Sequence, residues 1–309
     1  MFRNRNKRLT VVASLLIFTA ALTVAQQSNP ARQPVVLILN SEPNAIVWID
    51  EIRRGTTDPR GELRLTKLKP GRHTVRVRAI GFKEATTALL PGRREITVKL
   101  LPTSDEAELT FQQAEAAREK ARDDAALEQA ADLYRKAIQL RPAFPVAHVG
   151  LARVLLDLNQ FNEALAEIAA ARRTRRVYPE ASAVEGRINH EAAFDDEAIR
   201  SFRRSIQEAG GFQPEAHVGL ARVLEEKGQN AEAIAAYRKA IDQLSESEPV
   251  IYQMLGAAYE KTQQVKEAVG AYEKYLQLAP NGSLAPAVRS IVDQLKRGGT
   301  GRDEIPCCD

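Results

Sequence analysis

Cysteine is almost missing from this 309-residue sequence: Cys307 and Cys308 are the only two, side by side near the end. Adjacent thiols cannot staple distant parts of a fold and the ring between neighbours is strained, so a disulfide framework is excluded and incidental or intermolecular pairing is left to them. Histidine is scarce too. His73, His148, His190 and His217 fall in no HExxH or Cys-His spacing, and no serine elbow occurs. The run Gly298-Gly299-Thr300-Gly301 follows a helical stretch, whereas a phosphate loop follows a strand. No catalytic residue, metal-ligand set or cofactor site is assigned, and the chain reads as a non-enzyme. Charge of one sign is lacking as well. Four of the 44 Lys and Arg residues (Arg3, Arg5, Lys7 and Arg8) fall in the first 25 positions, where there is no acid, which leaves 40 basic against 40 acidic residues elsewhere. A balanced, interspersed surface lacks the electrostatic footprint of a nucleic-acid binder.

Long apolar runs are confined to one, from Val11 to Val24. It follows the basic start and ends in Thr23-Val24-Ala25 before the polar Gln26-Gln27-Ser28, the pattern of a secretory signal cleaved after Ala25. Its length is near the lower limit for spanning a bilayer, so an uncleaved anchor is the alternative, and membrane contact then rests on this segment alone. Either way the body is expected outside the cytoplasm, in the periplasm or associated with the cell envelope. Residues 26–33 read as a polar linker.

From Pro34 to Pro102 the pattern has period two. Val35 to Leu39, Ala45 to Ile49, Glu62 to Thr66, His73 to Arg78, Glu84 to Leu90 and Arg94 to Leu100 are short strand candidates separated by Pro, Gly, Asn and Asp. Six or seven such strands in so short a stretch predict a small antiparallel β-sandwich.

Beyond Thr103 the chain repeats itself. Pro145-Val146-Ala147-His148-Val149-Gly150-Leu151-Ala152-Arg153-Val154-Leu155 matches the stretch from Pro214 to Leu224 at all but one position. A unit of about 34 residues starts at Phe111, Pro145, Pro179, Pro214 and Pro249. Its eighth position is small from the second unit on (Ala152, Gly186, Ala221, Gly256), its twentieth is always Ala, and its twenty-fourth is large (Tyr134, Ile168, Phe202, Tyr237, Tyr272). Small-against-large spacing of this kind predicts two antiparallel helices per unit. The prolines suit the first turn of each first helix, where a missing N–H costs nothing. In the third unit Glu185 and Asn189 stand where Leu and Tyr are expected, which predicts looser stacking there. Thr103 to Glu106 offers capping oxygens to the first helix. Val288, Ile291, Val292 and Leu295 give residues 283–297 one apolar face, a capping helix for the last unit, and residues 298–309 read as a disordered tail.

These units resemble the tetratricopeptide repeat family, on Leu151, Ala152, Leu155, Ala164 and Ala171 in the second unit and Leu255, Gly256, Tyr259, Ala268, Tyr272 and Pro280 in the fifth. The turns of the β segment (Ser41-Glu42-Pro43, a strand ending in Asp50, Gly55-Thr56-Thr57, the stretch from Leu68 to Val75, and Gly81-Phe82) resemble the PEGA domain. Asp58 to Leu63 with Pro70-Gly71 is similar to the carboxypeptidase-regulatory β-sandwich. The expected architecture is multidomain: the β-sandwich (34–102), then an all-α solenoid of five helix pairs (103–282), then the capping helix.

The resemblance implies a superhelix whose concave wall is lined by the first helices, with the ninth position on that wall. That position reads Glu119, Arg153, Arg187, Arg222 and Ala257. A row of guanidinium groups suits an acidic or carboxylate-bearing peptide, and Val149, Ala183 and Val218, with Gln253, would floor the groove. Asp157, Glu191 and Glu226, four residues on, offer the opposite reading, in which each Arg is neutralised along its own helix. Arg172-Arg173-Thr174-Arg175-Arg176 is explained by its place at a helix C-terminus. His148 and His217 share one slot between helices and read as packing residues. The function expected is an exported scaffold holding an extended or helical peptide of a partner protein. The alternative is a spacer in an envelope assembly, with the β-domain touching glycan or wall.

Overall fold

The computed structural model describes residues 36–300, apart from 51, 67, 69, 70 and 245–247. The expected signal segment, the linker, the far end of the tail, and Cys307 and Cys308 lie outside them.

Among the described residues the β region has nine strands. β1 (Leu37–Asn40), β4 (Glu62–Leu65) and β8 (Glu95–Thr97) form one sheet in the order β4-β1-β8. β2 (Ile46–Ile49), β3 (Ile52–Thr56), β5 (His73–Arg78) and β7 (Ala85–Leu89) form a second, in the order β3-β2-β5-β7. β6 (Phe82–Lys83) pairs with β9 (Leu101–Pro102). Alternation drives the layering: Leu37, Leu39, Val47, Ile49, Val75 and Val77 point into one shared core and are almost fully buried. Pairing is antiparallel except between β1 and β8, which run parallel, so the sandwich is antiparallel-rich rather than purely antiparallel. Strand β3 is an addition: Gly55 and Thr56 look like turn residues, yet they extend the hairpin from β2 across a register shift at Val47/Trp48. The hairpin turns at Asp50, whose positive φ of 51° is held by its carboxylate, which accepts from Thr74 N at 2.9 Å and meets His73 Nδ1 at 2.5 Å.

Among the described residues eleven helices follow: α1 (Glu106–Lys120), α2 (Asp124–Leu140), α3 (Pro145–Asp157), α4 (Phe161–Thr174), α5 (Pro179–Glu191), α6 (Asp195–Glu208), α7 (Pro214–Glu226), α8 (Asn230–Leu244), α9 (Pro249–Lys261), α10 (Val265–Leu278) and α11 (Ala285–Thr300). Asp105 caps α1 by accepting from Glu108 N at 3.2 Å, and the last helix runs on to Thr300. Ala130, Ala164, Ala198, Ala233 and Ala268 are completely buried, as are Ala152 and Ala221. Three of the large residues at the twenty-fourth position, Tyr134, Phe202 and Tyr272, sit where a neighbouring helix has no room to give. A Cβ on Gly186 or on Gly219 would fall within 2.7 Å of the Phe202 ring, and one on Gly256 within 2.6 Å of the Tyr272 ring. The helices stack because no single pair can shelter its own apolar faces. Successive first helices α1, α3, α5 and α7 approach one another more closely than the second helices do, which makes theirs the concave side.

The third unit replaces apolar contact with a polar network. Arg172 pairs with Glu208 at 3.1 Å and with Glu185 at 3.6 Å, and the buried Ser182 hydroxyl donates to Glu208 at 2.7 Å. Asn189 donates to Ser201 at 3.4 Å. The basic run is thus partly structural: Arg172 is drawn into this network and Arg175 lies over the Tyr178 ring at 4.2 Å.

Candidate functional site

The concave wall divides into two halves with different neighbours. The first half faces the outer side of the β3-β2-β5-β7 sheet. Outward-pointing residues of a sandwich are ordinarily solvated, yet Arg76 and Arg78 keep only 17% and 11% of their side-chain exposure. Arg78 pairs with Glu84 at 2.8 Å and Glu115 of α1 at 3.2 Å, and its guanidinium lies over the Phe111 ring at 4.9 Å. Arg53 of β3 meets Glu119 at 2.7 Å. The Gln112 amide accepts from Gly81 N at 2.9 Å and donates to Phe82 O at 2.8 Å. Four residues of α1, Phe111, Gln112, Glu115 and Glu119, are therefore committed to the β-domain.

The arginine row is neutralised across units rather than along each helix. Arg153 meets Glu180 Oε1 at 2.7 Å and Glu215 at 4.0 Å, and Arg187 meets Glu215 at 3.7 Å. Burial pushes Glu180 up, but Arg153, Arg76 and Arg78 outweigh it and hold the carboxyl below its ordinary range. Burial alone would depress Arg153; Glu180, Glu215 and Glu115 keep it above its usual value instead. The ninth position of one unit thus pairs with the second position of the next. At the step from the fourth unit to the fifth that position is Val250, and among the described residues Arg222 forms no ion pair.

Arg222 is exposed and lines a cavity of about 510 Å³ in the second half of the wall, with Val218, Ile251 and Ile52 of β3 as apolar lining and Arg187, His190, Glu191, Glu215 and Glu248 as its other charged or titratable lining. His190 stands 3.6 Å from both Asp195 and Glu226. Among the described residues no three His, Cys, Asp or Glu side chains converge as a metal site would require.

Three models of one description, Tetratricopeptide repeat, match residues 121–188, 192–249 and 249–281. Residues 121–281 are a tetratricopeptide repeat array. No curated protein sequence matches the chain. Among solved structures, Pseudomonas aeruginosa pilF superposes with a TM-score of 0.51 at 18% identity, covering 63% of this chain and 92% of that one. YrrB, described as a TPR protein with an unusual peptide-binding site, gives 0.45 at 18% identity, covering 61% and 94%. MamA gives 0.46 at 22% identity, covering 58% and 94%. At these identities the likeness is one of fold. No enzyme family is indicated.

Within the tetratricopeptide array the residues singled out from the sequence separate. Val218, Arg187 and Arg222 come together around the cavity. Val149 and Ala183 are buried in the packing around Tyr134 and Phe202, because in those units the fifth position turns into the stack and offers no floor. Arg153 is largely covered and salt-bridged. Gln253 is half-buried on α9 and is not part of the cavity wall. Asp157, Glu191 and Glu226 are not the partners the arginines take; Glu180 and Glu215 are. Their recurrence at the second position was visible in the sequence, whereas nothing there pointed to Ile52.

Proposed function

We propose that the protein is an exported, non-enzymatic scaffold that holds a segment of a partner protein in the second half of its concave groove. The partner lays an aliphatic side chain against Val218, Ile251 and Ile52 and sets a carboxylate against Arg222. The observation that carries this reading is Arg222 itself: among the described residues it is the one member of the arginine row that forms no ion pair, and it lines a cavity with apolar sides. A guanidinium offers a carboxylate two parallel hydrogen bonds, and desolvation by the apolar sides strengthens them. Export rests on the leader from Met1 to Ala25, and the β-domain is read as an accessory module of PEGA type.

Selection of peptides from a displayed library by the chain lacking residues 1–25 tests it. Sequences with Asp, Glu or a free C-terminal carboxylate beside an aliphatic residue are expected, bound at least ten-fold more weakly after Arg222→Glu and unchanged after Arg238→Glu on the exposed face of α8. Enrichment of peptides without a carboxylate, or indifference to Arg222→Glu, would refute it. A second reading, a spacer whose β-domain touches envelope glycan or wall, draws on the exposed apolar Ile80, Leu90 and Leu101 of that domain. Adsorption to isolated envelope fragments, lost on replacing these three by Ser, would favour it.

A further inference from the structure

We propose that the first half of the concave wall is a second docking site, selective for basic and aromatic segments, which the chain's own sheet face keeps closed. On α1 the wall presents two carboxylates to the sheet: Glu115 meets Arg78 at 3.2 Å and Glu119 meets Arg53 at 2.7 Å, with Arg118 of the wall itself 3.9 Å from Glu115 and Glu180 of α5 already held by Arg153. On the sheet the Trp48 ring carries Arg76 at 4.2 Å and Arg78 at 5.3 Å. The chemistry that fills this half-groove is therefore arginine interleaved with an aromatic ring, opposite in sign to what the cavity at Arg222 takes.

The hold of the sheet is of a kind that can be exchanged. It consists largely of ion pairs, the Arg78 guanidinium on the Phe111 ring and one amide, with Ile52 as the apolar contact packed against the array's core, a mixed composition as in transient interfaces between domains. The Arg53–Glu119 pair is about half open to solvent, at 46% and 39% exposure, and such pairs contribute little. The fit is also incomplete. Tyr178 is 2% exposed, and its hydroxyl, within the field of Glu180, Arg153 and Arg76, has no hydrogen-bond partner. A buried polar group without a partner is costly, so an occupant that reaches that hydroxyl would bind better than the sheet does. A partner segment with two arginines spaced as on a strand and an aromatic neighbour has the chemistry to replace it.

The test uses the full chain and a fluorescein-labelled peptide of residues 73–83, which carries Arg76, Arg78 and Phe82. Arg53→Glu with Arg78→Glu weakens the sheet's grip without altering the wall. This variant is expected to bind the peptide at least ten-fold more tightly than the unaltered chain, and Glu115→Gln with Glu119→Gln added to it should remove the gain. Equal affinity in the unaltered and loosened chains, or a gain that survives neutralising the wall, overturns the proposal. So does loss of the gain on Arg222→Glu, which would place the peptide in the other half of the groove. If the doubly reversed chain does not fold, Arg78→Gln serves instead: a three-fold gain supports the proposal and no gain overturns it.

Discussion

His148 and His217 occupy the same slot of two nearly identical first helices, yet their surroundings pull them apart. Nδ1 of His148 meets Glu167 at 2.5 Å and Nε2 faces Pro142 O at 3.1 Å; Glu167 raises its pKa against the opposing effect of burial. In the fourth unit the residue equivalent to Glu167 is Ala236, so burial dominates at His217 and lowers its pKa, with Gly211 O at 3.3 Å a smaller, opposing influence and Lys239 adding to the lowering. The consequences for stability have opposite signs. A raised folded pKa means stability fully present below the unfolded value, about 6.5, and lost as pH climbs through the folded one. A lowered folded pKa means stability present above about 6.5 and lost as pH falls toward the folded value. His148→Gln should therefore cost more at pH 5.5 than at pH 8, and His217→Gln more at pH 8 than at pH 5.5, in thermal unfolding of the full chain. The same ordering of costs for both variants would contradict this assignment. The slot was visible in the sequence as a packing position; the opposite shifts follow from one substitution in the facing helix.

The turn between helices of a unit is where the repeat is most regular and most strained. Asn159, Ala193, Gly228 and Gln263, each the fifteenth residue of its unit, have φ between 59° and 74°. In each case two backbone bonds close the helix, as in Gln160 N to Leu155 O at 2.8 Å and Asn159 N to Leu156 O at 2.9 Å, the pattern that satisfies otherwise orphaned carbonyls. Only Gly228 adopts this conformation without a Cβ penalty. Gln263→Gly should raise stability by about 0.5–1 kcal/mol, read as a higher urea midpoint at unchanged slope, while Gly228→Gln should lower it by a similar amount. An unchanged midpoint for Gln263→Gly would mean the turn carries no strain. Glycine at 228 and asparagine at 159 mark the turn in the sequence. Alanine at 193 and glutamine at 263 do not, because their conformation is imposed by the stacking on either side.

At the scale of the whole molecule, the β-domain and the array meet through side chains that look solvated when read one strand or one helix at a time. Gln112 joins them most tightly: it is 3% exposed and its amide serves both Gly81 N and Phe82 O. Gln112→Ala leaves the half-buried Gly81 N–H and Phe82 carbonyl without this partner and should cost about 0.5–1.5 kcal/mol. Faster amide hydrogen exchange at Gly81, with exchange in α7 to α10 unchanged, is the expected signature. Exchange at Gly81 as slow as in the unaltered chain would show that the bond contributes nothing to the contact.

The sequence by itself determined the stack: recurring Ala, Gly and aromatic positions can be buried only if helix pairs lie on one another, and the Arg and Glu positions that pair across units recur with the same period. It also determined which face of β5 points inward, since Val75 and Val77 alternate with Thr74, Arg76 and Arg78, whereas in β2 Val47 and Ile49 alternate with the apolar Ile46 and Trp48 and only the packing chose between them. Alternation says that Arg76 and Arg78 point outward but not against what, and no local signal in a strand encodes a glutamate some forty residues further on. Only the tertiary structure decided that the outward face closes the first half of the groove, that Ile52 walls the second, and that Arg222 forms no ion pair among the described residues where the inter-unit register meets Val250.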